Sequence, residues 1–185
     1  MSGTARELVA LAGDVRGASV LEVGGGIGSI ELELLAAGAE CATNIELSGE
    51  YEHAAEELLA ERGLADRVDR RIGDFVANAA SFGPHDVVVM HRVVCCYPDV
   101  DALVGAAAER TRRRLLLTYP RELFIVRLAL AVVNLMLRLS GNTFRVYVHP
   151  ADRIAAAAAR HGLELERRER SRVWESAAFA LTSTY

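Results

Sequence analysis

The chain of 185 residues contains no lysine, and its 21 strong bases are all arginine. Without a lysine it cannot carry a phosphate-binding P-loop, whose Gly-rich turn ends in Lys-Ser or Lys-Thr. Cysteine is scarce: Cys41, Cys95 and Cys96 make an odd count of three. No Cys-x-x-Cys and no Cys/His set with zinc spacing occurs, so neither a metal centre nor a disulfide framework is expected, and a reducing cytoplasm fits best. Met1 to Glu7 lacks an apolar signal region, so export is not expected. No Ser/Gly/Pro-rich linker, repeat or low-complexity tract divides the sequence. No apolar run reaches the roughly 20 residues of a bilayer span, and no basic patch with interleaved aromatics suggests nucleic acid.

What is present fits one domain over residues 1–185, with half the residues hydrophobic and a quarter charged. Charge is unevenly spread. Residues 1–100 hold 7 arginines and 17 acids, whereas residues 101–185 hold 14 arginines and 8 acids. The basic half would suit an anionic substrate, although Arg112 to Arg114 and Arg167 to Arg172 also read as solvated faces.

The most informative stretch is Val20-Leu21-Glu22-Val23-Gly24-Gly25-Gly26-Ile27-Gly28, a short apolar strand running into a glycine-rich loop. The following Ile30 to Leu35 has helical apolar spacing, which places a helix N-terminus against whatever the loop approaches. By itself such a turn can be a tight connection and nothing more. A dinucleotide fingerprint beginning at Gly24 needs glycine at position 29, which is Ser29. The pattern Glu-x-Gly-x-Gly-x-Gly instead resembles motif I of the class I S-adenosylmethionine (SAM) dependent methyltransferases. That resemblance implies SAM as cofactor, with Glu22, Gly24, Gly26 and Gly28 around its amino acid portion.

A second strand, Cys41 to Glu46, ends in an acid 24 positions after Glu22. That is near the spacing at which doubly wound folds place a carboxylate against a ribose diol, and Leu47 follows it. A third, Val68 to Phe75, closes in Gly-Asp-Phe. The resemblance gives Asp74 the adenine amino group and puts Phe75 beside the ring. Each acid alone also reads as a solvated strand end.

The remaining chain alternates. Strands are predicted at Asp86–Met90 and Leu115–Tyr119, with helices at Tyr51–Arg62, Val100–Arg110 and Arg153–His161, and two last strands at Leu163–Val173 and Trp174–Ser183. The expected fold class is α/β, with helices on both faces of a Rossmann-like sheet. The resemblance supplies seven strands in order 3-2-1-4-5-7-6, the seventh antiparallel. Residues 121–140 read as an apolar helical insertion. Arg127, Asn134 and Arg138 form one narrow polar stripe, and Leu128 to Leu137 is an uncharged core of ten residues. Three readings are open: a core helix, a lid forming a greasy substrate wall, or an interfacial membrane helix or homodimer contact.

In this fold the acceptor lies after the fourth strand, at His91 to Tyr97. His91 reads as a base, a cofactor contact or a packed histidine. The Asn-Pro-Pro-Tyr motif of amino-methylating DNA enzymes is missing. Val93 to Pro98 and Phe144 to His149, the latter close to Arg-x-Tyr-x-His, resemble the magnesium-protoporphyrin O-methyltransferases, in which a helical extension usually covers the substrate. This chain reads as beginning almost at its first strand and lacking that cover. The resemblance implies that Tyr97, Arg145 and His149 converge over the methyl group. The expected activity is methyl transfer, O-methylation favoured, to a small apolar or anionic acceptor; the alternative is a non-catalytic SAM-binding or partner-binding module.

Overall fold

The computed structural model describes residues 3–182. Five strands run parallel: β1 (Ser19–Val23), β2 (Cys41–Glu46), β3 (Val68–Ile72), β4 (His85–His91) and β5 (Thr111–Pro120). A terminal hairpin of β6 (Leu163–Arg170) and β7 (Trp174–Leu181) joins through β7, which is antiparallel to β5. The order is β3-β2-β1-β4-β5-β7-β6, as expected. The predicted end of the last strand at Ser183 lies outside the described residues.

Period-two alternation within the buried strands divides two cores between the faces. Leu21, Val88, Met90, Leu115 and Leu117 face one side. They pack there against Leu103 and Val104 of α5 (Val100–Glu109) and Ile154 of α7 (Ala151–Ala159). Their neighbours Val20, Val87, Val89 and Leu116 face the other side, against Ile30 and Leu34 of α2 (Ser29–Ala36) and Leu8 and Leu11 of α1 (Gly3–Ala12). Both sheet edges are charged, with Asp69 and Arg71 exposed on β3 and Glu164 to Arg170 exposed on β6, which discourages edge-to-edge pairing. α3 (Glu52–Arg62) crosses between β2 and β3, and the one-turn α4 (Phe75–Asn78) follows β3.

Two expectations are corrected. A helix does precede the first strand: α1 buries Thr4, Ala5, Leu8, Leu11 and Ala12, and packs on β4, β5 and β7. It is only ten residues long and has no acidic residue in its first turn, so the sequence offered little to mark it. The apolar helix, α6 (Phe124–Leu139), is not a core helix, because Val126 is its one buried residue. Its hydrophobicity suggested burial, but it extends from the end of β5 away from both core layers. No helix of the described residues is long and apolar enough to cross a membrane.

Candidate functional site

Strand order reverses between β1 and β4, and the crevice at their carboxyl ends is where open α/β sheets bind ligands. The glycine loop after β1 occupies that point. Gly24, Gly26 and Gly28 have φ of +66°, +57° and +82°, the left-handed region that favours glycine. Each is held differently. A Cβ on Gly24 would meet Val93 Cγ2 at 2.5 Å, and one on Gly28 would collide with the Glu31 side chain. A Cβ on Gly26 would meet only the Tyr51 ring, at 3.9 Å. Crowding by the protein therefore fixes the two ends of the loop and Gly25, whose Cβ would collide with Asn44, while Gly26 is the loosest position.

A buried polar cluster supports the loop from below. Glu22 is 2% exposed and accepts a hydrogen bond from the Glu31 backbone N–H at 2.7 Å. Glu31 is fully buried on the inward face of α2 and accepts from Asn44 Nδ2 at 2.8 Å. Arg70 of β3 reaches over this pair: its guanidinium donates to the Gly26 carbonyl at 2.8 Å, pairs with Glu52 at 2.7 Å and lies 3.6 Å from Glu31. Burial, then the neighbouring Glu31 charge, pushes the Glu22 carboxyl well above the usual carboxylate range. Burial likewise raises Glu31, against the lowering pull of Asn44 and Arg70. Glu31 Oε1 and Asn44 Oδ1 accept no hydrogen bond from the described residues.

Glu46, at the end of β2, accepts from the backbone N–H groups of Gly26 at 2.9 Å and Ser48 at 3.1 Å. It ties the middle of the loop to the second strand. Leu47 beside it is 72% exposed. Asp74 caps α4 by accepting from Val76 and Ala77 N–H, and its other oxygen accepts from the Tyr97 hydroxyl at 3.4 Å. Phe75 is 4% exposed and packs on Phe82 with ring centroids 5.8 Å apart, so it belongs to the core and not to the crevice surface.

A cavity of about 260 Å³ opens beside the loop, lined by Glu22, Gly24, Gly25, Ser29, Ile30, Ala5, His91 and Arg92. His91 ends β4 and shares a hydrogen bond of 2.9 Å between Nε2 and the Thr4 hydroxyl. Burial first, then the adjacent Arg92 charge, pushes its imidazole down to about 4, so it is uncharged at neutral pH. Arg92 has φ of +59°, the one positive value for a non-glycine among the described residues. Its guanidinium donates to Thr4 and lies 4.7 Å from the Trp174 ring centroid, a cation–π contact. The Cys95 and Cys96 thiols both donate to the Arg92 carbonyl at 3.3 Å.

None of the three residues expected to converge lines this cavity. His149 is 7% exposed and its Nε2 donates to the Tyr97 carbonyl at 2.9 Å. Arg145 turns away: its guanidinium donates to the carbonyls of Asn142 and Phe144 in its own loop. The residues that sequence reasoning missed are Thr4, Arg70, Glu31 and Trp174. Thr4 and Trp174 reach the site only through tertiary packing. Arg70 lies inside the third strand next to Arg71, and nothing in local spacing tells which of the two adjacent arginines is buried.

No protein-family model matches the sequence, and no curated protein matches it. Solved structures do match the fold. Magnesium protoporphyrin IX methyltransferase from Synechocystis PCC 6803, solved with bound SAH, superposes with a TM-score of 0.77 over 97% of this chain and 82% of that one, at 23% identity. An O-methyltransferase family protein from Burkholderia thailandensis superposes with a TM-score of 0.78 at 18% identity, over 97% of this chain and 56% of that one. An S-adenosylmethionine dependent methyltransferase from Mesorhizobium loti gives 0.74 at 13% identity, over 96% and 98%. The chain therefore has the class I methyltransferase fold. The matching structures include a magnesium protoporphyrin IX methyltransferase and an O-methyltransferase family protein, and no single one of them stands out.

Proposed function

We propose that this chain is an S-adenosylmethionine-dependent methyltransferase acting on a small acceptor, with O-methylation favoured and an anionic oxygen as nucleophile. The observation that carries the reading is the glycine loop. Its outer glycines are locked by Val93 and Glu31, and its central glycine is only loosely contacted, at the switch point of a 3-2-1-4-5-7-6 sheet. A cradle whose central Cβ would make only a loose contact, with the Tyr51 ring, leaves room for close approach by a ligand. Glu22, Gly24 and Gly26 would hold the amino acid end of SAM, Glu46 and Leu47 the ribose side, and Asp74 the adenine. When bound, SAM supplies a methyl group already activated by its sulfonium for in-line displacement.

The protein's own contribution is orientation and charge placement, which can supply about 7–11 kcal/mol of a barrier. An imidazole with a pKa of about 4 is a weak base at neutral pH, so His91 suits a role as an uncharged polar contact. An acceptor that is ionised already, such as a carboxylate, needs no base. Arg92, held over the cavity by Thr4 and Trp174, is positioned to pair with such an anion. This role replaces the one expected of Arg145. The three free cysteines support a reducing, cytoplasmic setting.

Titration calorimetry should show SAM and S-adenosylhomocysteine binding one to one. Labelled SAM with fractionated metabolites should then transfer label into an acidic small-molecule fraction. Arg92→Ala should raise KM for that acceptor more than it changes SAM affinity, and no acidic limb near pH 6.5 should appear. Failure to bind SAM would defeat the reading. Intact binding with no release of S-adenosylhomocysteine in any fraction would instead support a SAM-binding module without catalysis, which the Arg145 and His149 hydrogen bonds to backbone carbonyls favour.

A further inference from the structure

α6 is an apolar helix on the outside of the molecule. Phe124, Ile125, Leu128, Leu135, Met136 and Leu139 are all exposed, Phe124 at 80% and Leu139 at 79%. At 100° per residue these six occupy one continuous face. The opposite face carries Val126, which is buried, and Asn134, which donates to the Val146 carbonyl at 2.7 Å and accepts from the Val146 N–H at 2.8 Å. The helix is thus fixed to the protein on one side, with its greasier side turned out. A contiguous exposed apolar face of this kind marks a contact surface.

Charge identifies the occupant. From Leu123 to Ala151 there is no aspartate or glutamate, while Arg127, Arg138 and Arg145 are present, in a chain of net charge −4. Arg127 and Arg138 lie about 110° from the centre of the apolar face, along its flank, and neither forms an ion pair with an acid among the described residues. A second copy docked by two-fold symmetry through this helix would bring arginines to arginines with no acid from either α6. An anionic lipid surface, by contrast, takes the apolar face into its acyl boundary and meets the flanking guanidinium groups with phosphates.

We propose that α6 is an interfacial helix that docks the protein onto an anionic bilayer, lying in the membrane plane. Its 16 residues span about 24 Å, a length that lies along a surface. This inference does not rest on the methyltransferase reading, and SAM binding by the same preparation reports on that reading separately.

Flotation with vesicles of one part phosphatidylglycerol to two parts phosphatidylcholine, and with pure phosphatidylcholine, tests it. The wild-type chain should float with the anionic vesicles, weakly with the neutral ones, and less as salt is raised. The double substitution Leu128→Glu with Leu135→Glu should abolish flotation while leaving the melting temperature and SAM binding unchanged, because both side chains are exposed. Arg127→Gln and Arg138→Gln should each weaken binding about fivefold, which keeps the test decisive if the double variant folds poorly. Equal flotation of wild type and the leucine variants, or equal affinity for neutral vesicles, overturns the proposal. So does a wild-type chain that stays off both vesicles and sediments as a dimer that the leucine substitutions take apart.

Discussion

The glycine-loop region and the segment from Leu123 to His149 are built on opposite terms. In the first, charged groups are buried and held by specific partners: Arg70 spans Gly26, Glu52 and Glu31, and Glu46 bridges Gly26 and Ser48. In the second, hydrophobic groups are exposed and charges lack acidic neighbours in the sequence. A rigid, polar, over-determined cradle suits a ligand of fixed shape, whereas an apolar outer surface suits a partner that is itself apolar and not finely shaped. The difference fits the two proposals, a defined small molecule for the first region and surface contact for the second.

The strongest way to break this contrast is to remove Arg70. Arg70→Met leaves Glu52 and Glu31 without their cation and the Gly26 carbonyl without its donor, and breaking a buried pair typically costs about 3–5 kcal/mol. Urea unfolding should show a loss at the lower end of that range, since Glu52 is partly exposed. A loss below about 1 kcal/mol would show that the cluster does not hold the loop.

Glu46→Ala ranks next. It removes the acceptor for the Gly26 and Ser48 N–H groups as well as any ligand bond, so SAM affinity should fall by about 1.5–3 kcal/mol, roughly 10- to 150-fold. Glu46→Gln keeps one acceptor oxygen and should lie between. Unchanged calorimetric affinity in a folded Glu46→Ala protein would take this carboxylate out of the site.

Acid–base titration of stability sharpens the contrast with smaller effects of opposite sign. His91 has a depressed folded pKa of about 4 against an ordinary 6.5, so the unfolded state binds the extra proton and stability is lost as pH falls from 6.5 towards 4. Glu22 is raised, so its contribution is present at low pH and lost as pH rises above the ordinary carboxylate value of 4.5. Melting temperature against pH should flatten on the acid side in His91→Asn and on the neutral-to-alkaline side in Glu22→Gln. A curve unchanged by either substitution would contradict the burial assigned to that group. The smallest effect is expected in the second region, where Arg145→Ala should change stability by no more than about 0.5 kcal/mol, because its bonds are to exposed local carbonyls.

The frame of the fold was legible because its signals are local. Val20 to Gly28 and the buried run of β4 announce strand, turn and parallel sheet from composition alone, and the strand order followed from the resemblance that the glycine pattern carries. The side chains that hold the site residues in place were not legible. Thr4 and His91 are 87 positions apart, and Arg92 meets Trp174 across the sheet, so nothing in local spacing marks either pair. α6 misled for a different reason: periodicity reports that a helix has an apolar face but not whether this chain itself covers it. Arg145 misled because a motif position does not fix where a long flexible side chain finds its acceptors.

Asn134 has a mechanical consequence. By donating to and accepting from the same residue, Val146, it pairs with backbone as a neighbouring strand would, joining α6 to the chain that returns from it. That returning chain is pinned in turn, by the Tyr147 N–H to the Cys95 carbonyl at 2.7 Å and by His149 to the Tyr97 carbonyl. Helix and strap consequently form a single lever whose fulcrum is the turn after β4, and Tyr97 in that turn also touches Asp74. Because these bonds hold α6 and the strap together, the amides of Val146 and Tyr147 should exchange with solvent in one cooperative opening.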